Sequence, residues 1–191
     1  MENKDLNQVQ ITALVGRLLA QRQFDELGAL AHQDERVLDQ LVETMRDTRG
    51  PFGFFAATAL SKAGAPAVPP LLEALEDEQY PVRQVAALAL GEIGDARAMA
   101  GLMESLRDRH EAVRQAGAVS LGKLRATEAV DALLAALNDE AEIVRRAAVN
   151  ALGMIGDERS LQALHRVQAE DTQAVAQRAR EVIRQIQERG T

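Results

Sequence analysis

Apolar residues recur along this chain with the spacing of one helix face, and the spacing itself recurs. In "VRQVAALALGEIGD", Val82, Ala86, Ala89, Leu90 and Ile93 fall on one arc of a helix turning about 100° per residue. Val113, Gly117, Ser120, Leu121 and Leu124 do the same 31 positions later, and Val144, Ala148, Ala151, Leu152 and Ile155 do so 31 positions after that. Between these segments lies a second stripe at i, i+3, i+4, i+7: Val68, Leu71, Leu72 and Leu75; Met99, Leu102, Met103 and Leu106; Val130, Leu133, Leu134 and Leu137. Each period therefore predicts a helical hairpin. A hairpin cannot bury both of its faces alone, so each must lean on the next.

The residues between the stripes agree. Gly94-Asp95 and Gly156-Asp157 pair a helix-ending glycine with an aspartate placed to cap the next helix, and Pro51 and Pro81 suit a first helical turn. An earlier copy starts at "PFGFFAATALSKAGA", with Phe52, Ala56, Leu60 and Ala63 inward. A last copy runs through "AVAQRAREVIRQIQ", with Val175, Ala179, Val182, Ile183 and Ile186 inward; His165 and Gln168 stand on its first stripe, as expected of a terminal capping unit. Residues 1–50 hold no clean copy but three helical stretches, and read as a degenerate N-terminal cap joined at Gly50-Pro51. The predicted fold is all-α: a cap over 1–50, then an array over 51–191 with units at about 51–65, 66–95, 96–126, 127–157 and 158–188, in one continuous body.

Composition sharpens this picture. Hydrophobic residues make up 47% of the chain but aromatics only 3%, so the core is Ala, Leu, Val and Ile, which suits closely approaching helices. The formal charge of -7 repels phosphate backbones and counts against nucleic acid as a partner. The absence of cysteine removes disulfides, thiolate metal sites and a cysteine nucleophile. The polar start "MENKDLNQVQ" and the lack of any apolar run near the ~20 residues of a bilayer span predict a cytoplasmic protein with no membrane partner.

A unit of about 31 residues, opened in its second helix by "VR" and closed by "ALGEIGD" or "ALGMIGD", resembles the short bacterial and archaeal HEAT-like repeat, the type also found in phycobilisome lyases. The resemblance covers roughly residues 51–188 and implies an α-solenoid, a right-handed superhelix of stacked hairpins whose second helices line a concave face. It also implies a structural ladder built from an Asp in the turn and an Arg six residues later, here Asp77 and Arg83, Asp108 and Arg114, and Asp139 and Arg145. The final copy has Glu170 and Ala176 there, which leaves its rung open. The residues themselves are consistent with a ladder, since arginine carries five fixed donors and can bridge its own unit and a neighbour. An arginine row could also bind anions, but the regular aspartate partners favour the structural reading.

The outward arc of the second helices carries the letters that change between copies. Phe54, Phe55, Thr58 and Lys62 are followed by Gln84, Val85, Leu88 and Glu92; then by Gln115, Ala116, Val119 and Lys123; then by Arg146, Ala147, Asn150 and Met154; then by Gln177, Arg178, Glu181 and Gln185. Retained letters hold the fold, and altered ones are free to recognise a partner. The candidate binding face is therefore Phe54, Phe55, Thr58, Gln84, Val85, Leu88, Glu92, Gln115, Val119, Lys123, Arg146, Asn150, Met154, Arg178 and Glu181. Apolar residues concentrate toward its N-terminal half, as in partner sites anchored by aromatics, although Phe54 and Phe55 could instead be covered by the N-terminal cap.

No catalytic residue or metal site is assigned. His32, His110 and His165 lie in different units without metal-binding spacing, and the glycines fit no phosphate-binding loop. Acidic pairs such as Asp139-Glu140 and Asp157-Glu158 sit at helix starts, where they answer the helix dipole. Gly91, Gly122 and Gly153 recur inside helices, where close approach of another backbone would require them. The expected function is a non-enzymatic scaffold, without cofactor, that binds a protein or peptide. The alternative implied by the resemblance is a bilin lyase-like or chromophore-handling role, and a third is a DNA-binding HEAT-like module.

Overall fold

In a computed structural model, which describes residues 6–189, every regular element is helical. Residues 1–5 of the expected cap and residues 190 and 191 of the expected array lie outside the described residues. The chain divides into two compact units, one ending at Asp95 and the other beginning at Ala96. No helix among the described residues is long and apolar enough to cross a membrane.

The first unit holds α1 (Gln8–Ala20), α2 (Phe24–Gln33), α3 (Glu35–Arg46), α4 (Phe52–Ala63), α5 (Val68–Ala74) and α6 (Tyr80–Ile93). α2 and α3 both pack on α4, which in turn packs on α6, and α5 lies against α6. α1 begins with a reciprocal capping box, in which the Asn7 side chain accepts from the Gln10 N–H at 3.0 Å and the Asn7 N–H donates to Gln10 Oε1 at 2.9 Å. The second unit holds α7 (Met99–Ser105), α8 (Glu111–Lys123), α9 (Val130–Ala136), α10 (Glu142–Ile155), α11 (Leu161–Glu170) and α12 (Gln173–Arg189). Here α8 packs on α10 and α10 on α12, while α7, α9 and α11 each lie against the helix that follows.

The inward arcs of the second helices form the core. Val82, Ala86, Leu90, Val113, Leu121, Val144, Ala148 and Leu152 are fully buried. Ile93, Leu124 and Ile155, the last inward residue of each copy, are half-buried where the helix runs out. Phe52 departs from the expected arc and is 42% exposed. Its ring packs edge-on against Phe55, 6.1 Å away, while the Met45 and Asp47 carbonyls lie 2.9 and 3.0 Å from where a Cβ on Gly53 would stand, so only a glycine fits at that next position. The repeated glycines divide by neighbour. At Gly122 a Cβ would lie 2.8 Å from Ala151 Cα, a true backbone approach between α8 and α10, whereas at Gly153 it would meet the branched side chain of Val182 at 2.9 Å.

Two helix ends share the glycine closure that the repeat predicts. Gly94 and Gly156 close α6 and α10 in the left-handed conformation, with φ of 74° and 79°. The equivalent position after α8 is Arg125, which adopts φ 50° while the Arg125 N–H bonds the Gly122 carbonyl and the Ala126 N–H bonds the Leu121 carbonyl. These are the two bonds of a Schellman motif, made by a residue with a Cβ where glycine is usual. Asp157 caps the next helical turn by accepting from the Arg159 N–H, as its place after the glycine predicted.

Each ladder aspartate accepts from a backbone N–H in its own turn: Asp77 from Gln79 at 2.9 Å, Asp108 from His110 at 2.8 Å, Asp139 from Ala141 at 2.9 Å. The ladder arginine of the same copy reaches the backbone of that turn and not the carboxylate. Arg83 donates to the Asp77 carbonyl at 2.7 Å, Arg114 to that of Asp108 at 3.0 Å, and Arg145 to that of Asp139 at 2.9 Å. Within the second unit the remaining donors form a two-pronged bond to the next copy. Arg114 holds both Asp139 oxygens at 2.7 and 2.9 Å, and Arg145 both Asp171 oxygens at 2.8 Å. Asp171, one residue beyond the expected Glu170, supplies the last rung. α11 ends on a full i to i+4 bond from the Asp171 N–H to Val167, where earlier copies tighten to i+3, and this carries the carboxylate one position further along.

Burial pushes the Asp139 carboxyl up, but hydrogen bonds from Arg114 and the Ala141 N–H, with the charges of Arg114 and Arg145, outweigh it and hold the group below the ordinary carboxylate range. The Arg145 guanidinium holds Asp171 down against the opposing effect of burial. A carboxylate whose folded pKa lies below its unfolded value contributes stability that is complete above about pH 4 and is lost as pH falls through the folded value. Asp139→Asn combined with Asp171→Asn is therefore expected to flatten the acid limb of melting temperature against pH, measured by circular dichroism. Gly122→Ala should lose about 1–2 kcal/mol, because overpacking against Ala151 exceeds the gain in helix propensity. Arg125→Gly should gain up to about 1 kcal/mol by relieving the left-handed strain. Denaturant titration measures both.

Candidate functional site

The chain has four phenylalanines, and all of them meet at one place in the first unit. The Phe55 ring lies 5.6 Å from that of Phe24, 6.1 Å from Phe52 and 6.5 Å from Phe54, centroid to centroid. The two edge-on pairs, with Phe52 and Phe54, have the arrangement that aromatic quadrupoles prefer. The Arg22 guanidinium sits over the fourth side of Phe55 at 5.2 Å. Arg22 occupies the left-handed position that ends α1, with φ 56°, and that turn aims its side chain back over α4. Phe55 is thus half-buried under residues of the N-terminal cap, while Phe54 beside it remains 59% exposed.

Next to this cluster the outward ridges of α4 and α6 enclose an open cleft of about 590 Å³. Phe54, Phe55 and Thr58 contribute from α4 and Val85, Leu88 and Glu92 from α6, so six of the expected face residues converge here, joined by Lys62. Gln84, on the same helix face, lies outside the lining and is half-buried. Arg22 and Phe24 close one end, Ala57 and Ala89 form the floor, and Lys62 Nζ meets Asp25 at 3.3 Å on the rim. The cleft's hydroxyls are turned inward on their own helix: Thr58 donates to the Phe54 carbonyl and Ser61 to that of Thr58. What remains for a ligand is an apolar surface with three phenylalanine rings, edged by Arg22, Lys62 and Glu92.

In the second unit the expected residues form a row of a different character. Gln115, Val119 and Lys123 stand on α8, Arg146, Asn150 and Met154 on α10, and Arg178 and Glu181 on α12. Arg178 Nε bonds Asn150 Oδ1 across the α10–α12 contact and its Nη1 bonds Glu181 at 2.9 Å, while Met154 Sδ lies against Gly122 of α8. Ala116 and Ala147, placed on this face by the repeat register, are buried. A methyl group does not clear the α8–α10 contact as its longer neighbours do.

Of the three histidines, His32 Nδ1 bonds the Ala63 carbonyl at 2.9 Å, tying α2 to the end of α4, and His110 caps α8 through the Ala112 N–H. Sequence reasoning missed Phe24 and Arg22, because neither belongs to a repeat whose register could place it. The signal available was the rarity of phenylalanine itself, with the fourth copy set apart at the head of a cap helix.

Comparison with known proteins places this geometry in a family. The HEAT-repeat profile matches residues 38–122 and 99–184, well over half of the chain. Over 80 residues, 38% of this chain, the sequence is 40% identical to phycocyanobilin lyase subunit alpha of Picosynechococcus sp. strain PCC 7002, and the match spans 30% of that protein's length. Among solved structures, the complex of CpcE and CpcF of phycocyanin lyase from Nostoc sp. PCC7120 contains a chain similar over 78% of this one and 99% of its own, with a TM-score of 0.72 and 26% identity. A computationally designed armadillo repeat protein for modular peptide recognition shares the fold, with a TM-score of 0.59 at 19% identity over 94% of this chain and 99% of its own. The fold is thus all-α and of the α-solenoid class, and the chain belongs to the family of HEAT-repeat proteins.

Proposed function

We propose that this chain is a protein-binding HEAT-repeat subunit of the phycocyanin-lyase type, which grips its partner through the aromatic cleft of α4 and α6. The observation that carries this reading is the convergence of all four phenylalanines on one open surface of a protein that has 3% aromatic residues. Two of them, Phe52 at 42% and Phe54 at 59%, are largely solvent-facing, an arrangement that costs solubility and gains nothing for the core. Aromatic anchors ringed by polar and charged groups are what a protein hot spot requires. That a similar chain occurs in a complex of two lyase subunits supports a protein as the partner.

A second reading is favoured by the stretch 40% identical to phycocyanobilin lyase subunit alpha. On it the cleft holds a bilin: the flat conjugated system would lie on Phe54, Phe55 and Leu88, and its carboxylates would meet Arg22 and Lys62 at the rim.

Phe54→Ala and Leu88→Glu separate the outcomes. Both positions are solvent-accessible, so each variant should melt within a few degrees of the parent. In pull-downs with a second lyase-type HEAT-repeat subunit and with phycocyanin apoprotein, the parent should retain one of them and Leu88→Glu should weaken retention at least tenfold, about 1.4 kcal/mol. Unchanged retention by Leu88→Glu disproves the cleft as the docking surface. Mixing with phycocyanobilin and following the visible absorption band tests the second reading, which predicts a shifted band that Leu88→Glu abolishes.

A further inference from the structure

The row of side chains on α8, α10 and α12 differs in charge from the rest of the molecule. The chain carries -7 overall, yet α10 and α12 place Arg146 and Arg178 on this face beside the one carboxylate of the row, Glu181. Glu181 is held by Arg178 at 2.9 Å, and Arg178 is held in turn by Asn150, so the guanidinium is fixed in direction before any ligand arrives. Arg146, one turn before Asn150 on α10, is exposed and makes no hydrogen bond or ion pair among the described residues. Glu111 and Glu142 stand in the first turns of α8 and α10, where they answer the helix dipoles ahead of the patch. Apolar surface lies between the cations: Met154 is 42% exposed and Val119 is half-buried.

We infer that this face of the second unit docks an acidic, partly apolar peptide segment of a protein partner. The inference rests on the reading of the outward second-helix face as a binding surface, but on residues separate from the aromatic cleft. Charge complementarity selects the occupant. Arg146 offers unengaged donors, the Arg178 guanidinium is pinned through Nε and Nη1 with its side chain 35% exposed, and a guanidinium matches a carboxylate in fork geometry. Met154 supplies an adaptable apolar contact between them. The face has no aromatic side chain on which a base could stack, which sets it apart from a single-stranded nucleic-acid platform.

The test uses the full chain and three fluorescently labelled probes: a peptide of alternating Glu and Leu, one of alternating Lys and Leu, and a single-stranded oligothymidine of similar length. Anisotropy titration should show the acidic peptide binding at least tenfold tighter than the basic one, with affinity falling between about 50 and 300 mM salt. Arg146→Glu should weaken it at least tenfold, and Met154→Gln severalfold with the salt dependence unchanged. Leu88→Glu should leave it intact, so failure here is distinguishable from failure of the aromatic cleft. Equal binding of the two peptides, indifference to Arg146→Glu, or oligothymidine binding as tightly as the acidic peptide would each overturn the inference.

Discussion

How closely two neighbouring second helices may approach, and in which register, governs what the rest of this fold can do. In the second unit the approach is set by small residues, with Gly122 admitting the backbone of Ala151 where even a methyl group would collide. Dispersion forces reward such proximity but do little to fix sliding along the contact. The rungs fix it. Arg114 and Arg145 each hold the carbonyl of their own turn with one nitrogen and both oxygens of the next copy's aspartate with two others, at 2.7–3.0 Å. A planar fork meeting a planar carboxylate tolerates little displacement, so these mostly buried pairs specify register more than they add to stability.

This arrangement separates holding from recognising along each second helix. The arc occupied by Val144, Ala148 and Leu152 is fully buried and admits only small changes of volume, whereas on the same helix Arg146 is exposed, Met154 is 42% exposed and Asn150 reaches a neighbour only through its side-chain bond to Arg178. The two units then present chemically different surfaces from one template. α2, α4 and α6 offer phenylalanine rings and an apolar floor, while α10 and α12 offer a pinned guanidinium, Arg178, and an exposed one, Arg146, beside a methionine.

The repeat made most of the fold legible, because a period of 31 residues fixes the inward residues, the hairpin ends and the aspartates together. What escaped was whatever lies at the edges of the period. Phe52 has the register of an inward residue, yet its ring joins the aromatic cluster edge-on to Phe55 and stays 42% exposed. The last rung moved by one residue to Asp171, since the length of α11 is decided by its final hydrogen bond, which pattern does not report. Within the aromatic cleft, the six residues from α4 and α6 were readable from the variable arc. Phe24 and Arg22 come from a cap with no register, and their placement depends on a left-handed arginine at the end of α1.

That arginine links local backbone cost to the site. A non-glycine residue at φ 56° is disfavoured by roughly 1–2 kcal/mol, and a glycine at residue 22 would relieve the strain. Glycine there would also remove the guanidinium that covers Phe55 at 5.2 Å, leaving the ring cluster open at the end where the cap meets α4. At residue 125 the same left-handed arginine has no ring beneath it among the described contacts, and the copies on either side use Gly94 and Gly156. The two positions therefore carry the same backbone strain for different reasons. At the first, a cation is held ready at the mouth of an apolar cleft, where a charged group sets the orientation of what binds while the rings supply the contact area.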